Sequence, residues 1–286
     1  MLDLNSFRGQ ETGFLGRPLG CVLLLFFVAF LSTPVFSAGE TPFSGAAPDV
    51  PALIKAGETP RDAVRDLIKE GINHWAKVES LSVVFTRREL LDGKTRRGDA
   101  EVILVRERIQ PHAIYMKWLD GPGKDRELAY VPARAIDSFT VTPGGAVRWL
   151  VVEREFNNPE VLAVSRHSPA DAGIGHLLHL IDDQFRISVD DSVVVYLGEA
   201  VVGGRACYRF IRFLPEKSAP NGTRYYCWKL DLCIDKEMCL PVSVKCYGWK
   251  RQFDWQKEPF EDYVYTDFVF NRNLGDDSYQ LRKSDQ

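Results

Sequence analysis

The chain has 286 residues, 45% apolar and 26% charged, with a formal net charge of −3. That apolar content supports a buried core, and the near-neutral balance lacks the basic footprint of a nucleic-acid binder.

At the N-terminus, Arg8 and Arg17 precede an apolar run from Leu19 to Leu31. Ser32, Thr33 and Pro34 follow, and then the small residues Ser37 and Ala38. A basic flank, an apolar core of about 7–15 residues and a small-residue exit describe a secretory signal peptide. A spanning helix needs roughly 20 apolar residues, more than this run offers. Residues 1–37 are therefore read as a signal cleaved after Ser37, with an uncleaved anchor as the alternative. Cys21 opens the apolar run instead of following it, so no lipid anchor is read. The processed chain is expected in the periplasm or cell envelope, not integral to the membrane. Residues 38–58, rich in Pro, Gly, Ala and Ser, read as a mobile leader. Residues 59–286 read as one domain.

Thr59-Pro60 opens a helix with an N-cap residue and proline at the first position. Over residues 60–79, Val64, Leu67, Ile68, Ile72 and Trp75 recur at three- and four-residue spacing, which puts them on one stripe. Strands follow. Leu81, Val83 and Phe85 alternate, and Asp92-Gly93 reads as a hairpin turn. The basic cluster Arg87, Arg88, Lys94, Arg96 and Arg97 around that turn reads as a solvated tip. Further strands are predicted at 101–108, 113–118, 127–131, 138–142 and 146–153. A helical zone spans 159–185, broken near Ser168-Pro169. Strands return at 193–197 and 205–213.

The C-terminal third alternates most clearly. Tyr226, Trp228, Leu230, Leu232 and Ile234 share one face, as do Met238, Leu240, Val242, Val244 and Cys246 after the corner Asp235-Lys236-Glu237. In the last segment Val264, Phe268 and Phe270 are placed on a common side. Period-2 alternation over consecutive segments means an antiparallel sheet with one buried face. The order of helix, strands, helix, strands predicts an α+β fold with one open antiparallel sheet.

The stretch Leu232-Cys233-Ile234-Asp235-Lys236-Glu237, then Leu240-Pro241 and Tyr247, resembles a known bacterial family. So do Glu261-Asp262-Tyr263-Val264-Tyr265-Thr266-Asp267-Phe268 and Asn271-Arg272-Asn273-Leu274 with Asp276-Asp277 and Tyr279. The family is the one of unknown function numbered 1571, within the LolA/LolB-like lipoprotein-carrier superfamily. The resemblance implies an open half-barrel covered by helices, with an apolar cavity between them. The helical insertion at 159–185 and the five exported cysteines depart from the carriers. Asp267, Asn271 and Asp276 read as backbone-holding groups, not as catalytic ones.

His176, His179 and Asp183 share a helical face, but two histidines without a third ligand predict no metal site. No serine has the nucleophile-elbow context, and no glycine-rich phosphate loop is present. No cofactor and no catalytic residue are predicted. The expected function is non-enzymatic binding or carriage of a lipid or acyl chain, with an envelope protein as a possible partner. The rival reading is an interaction module with a filled interior. The cavity candidates are Leu67, Ile68, Ile72 and Trp75 from the helix, which would act as a movable cover. From the sheet they are Phe85, Trp118, Trp228, Leu230, Val244 and Phe268.

Cys207, Cys227, Cys233, Cys239 and Cys246 would enter a compartment where disulfides persist. A hairpin centred on Lys236 sets Cys233 opposite Cys239, which predicts a cross-strand disulfide. Two reduced thiols in a hydrogen-bonded site are the alternative. Cys246 reads as a buried thiol or a partner for Cys207.

Overall fold

The computed structural model describes residues 42–43, 47–91, 98–147, 149–187, 192–215, 225–249 and 258–281. The expected signal peptide and the Asp92-Gly93 turn lie outside the described residues. Two helices come first, α1 (Val50–Lys55) and α2 (Pro60–Trp75). A meander of six strands follows: β1 (Ser80–Glu89), β2 (Glu101–Arg108), β3 (Ala113–Asp120), β4 (Glu127–Tyr130), β5 (Ser138–Thr142) and β6 (Val152–Glu155). Then come the short helix α3 (Pro159–Leu162) and α4 (Ile174–Ile187). A second meander closes the chain: β7 (Val193–Val202), β8 (Arg205–Phe213), β9 (Lys229–Asp235), β10 (Pro241–Tyr247) and β11 (Glu261–Phe270).

All eleven strands form one open antiparallel sheet, ordered β6-β5-β4-β3-β2-β1-β11-β10-β9-β8-β7. The two meanders meet only where the first strand pairs with the last, from Leu81 opposite Phe270 to Glu89 opposite Glu261. The edges are therefore β6 and β7. Because the chain leaves β6 and resumes at β7, the intervening segment must travel from one edge of the sheet to the other. It does so across the inner face, where Ile103, Met116, Leu128, Phe210, Leu232 and Val244 join Ile174 and Leu178 of α4 in one core. On the outer face Ala113 and Tyr115 pack with Tyr279, the last residue of the family-like motif.

Thr59 caps α2 as expected, its hydroxyl accepting from the Asp62 amide, with Pro60 in the first turn. The buried stripe Val64, Leu67, Ile68 and Trp75 packs against α4 and β7. The leader expected to be mobile contains α1, capped by Asp49, and Val50 is fully buried. Phe43 also stacks on His74, with ring centroids 4.7 Å apart. The ordered domain thus begins before residue 59.

Three register expectations are corrected. The corner after β9 is longer than a turn centred on Lys236: the Asp235 amide donates to the Leu240 carbonyl and the Cys239 amide to the Asp235 carbonyl. The Asp235 side chain accepts from the amides of Glu237 and Met238. Cys239 is left inside the turn at φ 57°, and a bulge then sets Ser243 opposite Cys233. The Cys233–Cys239 disulfide is not formed, and all five described cysteines are free thiols. Cys246 is a buried free thiol. In β11, a register shift and the left-handed Asp267 (φ 55°) reverse the facing. Val264 therefore pairs with Ser243 and Thr86, away from the face that Tyr263 and Tyr265 share. Finally, Arg87 is buried, not solvated, because its register partner Glu101 and its neighbour Glu89 both face it.

Asn271 has the structural role expected of it. Its side-chain oxygen accepts from the Glu79 amide at 2.8 Å, holding the loop ahead of β1 against the end of β11. Asp276 instead ion-pairs with Arg108.

Candidate functional site: an apolar cavity under the edge-to-edge crossing

The inner face is covered in two ways. Over the second meander it is filled by α2 and α4. Over the first meander, the strap of residues 160–173 spans a cavity of about 310 Å³. Its floor is apolar, with Phe85, Met116, Leu128, Phe139 and Val141 from β1 and β3–β5, and Val152 from β6. Its roof is Val161, Val164 and the turn around Pro169. The volume lies near the lower end of the roughly 300–1,000 Å³ typical of small-molecule sites.

One end of the cavity is ionic, and there the strap is fastened to the sheet. Arg87 donates from Nε to Glu101 at 2.6 Å and from Nη1 to the Ser165 hydroxyl at 2.9 Å. The Arg166 amide donates to Glu89 at 3.2 Å, and its guanidinium reaches Glu261 at 3.2 Å and the Leu90 carbonyl at 2.9 Å. His167 Nε2 lies 2.9 Å from Glu261. Tyr263 donates to Glu89 at 2.6 Å, and Tyr226 also hydrogen-bonds Glu261. Burial of the phenols, together with Glu261 and Glu89, holds the Tyr263 pKa well above its ordinary value. Burial pulls the His167 pKa down, but its hydrogen bond to Glu261 and the charge there outweigh this and raise it. Trp118 Nε1 donates to Glu101 at 3.1 Å, which fixes the ring at the cavity's ionic end.

Where the strap meets α4 it passes over Glu107. Gly173 has φ +117°, and a Cβ there would sit 2.5 Å from Glu107 Oε2. That oxygen is buried with no hydrogen-bond partner among the described residues. Burial pushes its carboxyl from 4.5 up to about 8.

Of the cavity candidates read from the sequence, Phe85 and Trp118 line the space. Leu67, Ile68, Ile72 and Trp75 lie elsewhere, in the packing of α2. The Trp75 ring fills the space beside Gly175 of α4, where a Cβ would come within 2.3 Å of it. Helix α2 is therefore not the cavity's cover, and Ile72 and Trp75 are not at its mouth. Leu230 and Val244 are core residues of β9 and β10. Phe268 stacks with Phe270, and Trp228 packs beside Phe213. The floor residues of β3–β5 and the strap itself escaped the sequence reading. The signal available was the alternation of Leu128 with Tyr130 and of Phe139 with Val141, in strands too short to stand out.

Among the described residues no group of His, Cys, Asp and Glu could hold a metal ion, and no helix is long and apolar enough to cross a membrane.

Fold and cavity together define an α+β protein with an open antiparallel sheet and a strapped apolar pocket. The chain belongs to the family described as a protein of unknown function, DUF1571, whose model matches residues 78–285. No curated protein matches the sequence. Solved structures similar to it include the lipoprotein LppX of Mycobacterium tuberculosis, at 12% identity over 75% of this chain and 98% of that one, with a TM-score of 0.42. A LolA superfamily protein of Nitrosomonas europaea aligns at 9% identity over 71% and 90%, with a TM-score of 0.30. The MucA/MucB complex of Pseudomonas aeruginosa aligns at 12% identity over 77% of this chain and 60% of that one, with a TM-score of 0.39.

Proposed function

We propose that the protein is a non-enzymatic binder or carrier of lipids or acylated molecules in the cell envelope, and that the strapped cavity is its binding site. One observation carries the reading. The same inner face is filled by helices over β7–β10 and left as an apolar space over β3–β6. An acyl chain entering that space would gain about 0.8 kcal/mol for each methylene taken from water. Catalysis has no place in this reading: the ionic groups beside the cavity fasten the strap to the sheet.

The test is native mass spectrometry of the exported domain purified without detergent, followed by titration with a fluorescent fatty acid. Co-purified lipid and saturable binding are expected. Phe139→Asp, which places a charge on the apolar floor, should abolish binding. Trp228→Ala, outside the cavity, should leave it unchanged. A protein with no adduct and no saturable binding is the interaction module of the rival reading.

A further inference from the structure

Among the arginines lining the cavity, Arg126 stands apart. Arg87 is engaged by Glu101, Ser165 and the Val164 carbonyl, and Arg154 by Glu160 at 3.2 Å. Both Glu101 oxygens are occupied, one by Arg87 Nε and the other by Trp118 Nε1. The Arg126 guanidinium lies 5.3 Å from the centroid of the Trp118 ring, and no hydrogen bond or ion pair reaches it among the described residues. Its backbone is fixed at the β3–β4 hairpin: the Arg126 carbonyl accepts from the Trp118 amide at 3.0 Å, and its amide donates to the Gly123 carbonyl at 2.9 Å. Burial lowers its pKa by more than the charge of Glu101 raises it. This is a half-buried cation whose lost hydration the protein offsets only in part. Along the same face of β4 the next residue is Leu128, with Val141 opposite it on β5 and Phe139 beyond.

We propose that Arg126 is the head-group contact of the cavity, receiving the carboxylate or phosphate of an anionic amphiphile whose chain lies along Leu128, Val141 and Phe139. The assignment rests on reading the cavity as an acyl-chain site. A guanidinium carries its donors in a planar fork, the geometry that pairs with a carboxylate or phosphate through two parallel hydrogen bonds. An uncharged lipid of the same chain would leave that fork unfilled.

The experiment compares cis-parinaric acid, its uncharged methyl ester and inorganic phosphate alone, on the wild type and on Arg126→Met and Arg126→Lys. In the wild type the acid should bind about ten- to a hundredfold more tightly than the ester, the worth of a charged hydrogen bond. Arg126→Met should bring the acid down to the ester and leave the ester unchanged, and Arg126→Lys should keep part of the difference. Equal binding of acid and ester by the wild type overturns the head-group assignment while the acyl-chain reading stands. So does an equal loss of both in a folded Arg126→Met protein. Phosphate binding that Arg126→Met removes, with neither amphiphile bound, overturns the acyl-chain reading and the amphiphile with it, leaving a free-anion site. If Arg126→Met does not fold, the acid–ester comparison in the wild type still decides.

Discussion

Glu107 continues the alternation of Ile103 and Val105 on β2 but puts a carboxyl where the pattern calls for a third apolar side chain. Its raised pKa has a definite sign for stability. From pH 4.5 to about 8 the folded protein keeps a proton that the unfolded chain has released, so stability falls as pH rises through that window and levels off above it. The slope is about 1.4 kcal/mol per pH unit where it is fully developed. Glu107→Gln should abolish it and give a more stable protein at pH 8, measured by urea unfolding across the range. A slope unchanged in the variant would place the titrating group elsewhere. Gly173→Ala acts on the same contact from the other side. It combines a left-handed backbone with a Cβ 2.5 Å from the carboxyl, and a loss of about 1–3 kcal/mol is expected. The loss should be smaller in a Glu107→Ala background, because the clash is with that side chain.

At the scale of elements, the strap is held by charge and the helices by apolar packing, so the two respond differently to pH. The His167 pKa is raised above its ordinary 6.5 despite burial, by Glu261 and then Glu89, with Arg166 opposing. The stabilisation it supplies is complete below pH 6.5 and is lost as pH rises through the raised value. Amides of residues 164–172 should therefore exchange faster on the alkaline side, after correction for intrinsic rates, while those of α2 should not. His167→Gln should remove the difference, and uniform acceleration throughout the domain would refute a local fastening.

The elements themselves were largely legible. The alternation placed β2, β5 and β8 within their observed bounds, and Thr59-Pro60 located the start of α2. What amphipathicity could not say is which surface an apolar stripe meets. The stripe of α2 was expected over the cavity and instead meets α4 and β7. The Cys233–Cys239 pairing failed for a related reason. Hairpin register depends on turn length, and here Asp235 caps a longer turn that alternation cannot count.

At the scale of the whole molecule, the part of the candidate site that could be read came from residues obeying sheet periodicity, Phe85 and Trp118. The strap could not be read in the same way. Its position follows from the edge-to-edge crossing, which is a property of strand order and not of any local pattern. Its fastening residues, Ser165, Arg166 and His167, lie 76 to 95 positions away in sequence from the sheet groups they meet.

The pairing of β1 with β11 sets an order of assembly. The two meanders are each contiguous in the chain, yet the ladder that joins them closes only when the last strand is delivered. Until then both halves carry an open edge at what will be the middle of the sheet, and a newly made chain has to protect both. Closing so long a loop late makes folding slow relative to stability. The same arrangement also makes the protein divisible. A break between α4 and β7 severs no sheet ladder, so separately produced halves should find each other through β1 and β11 and regain one eleven-stranded sheet. A chain shortened just before β11 should leave two halves that do not.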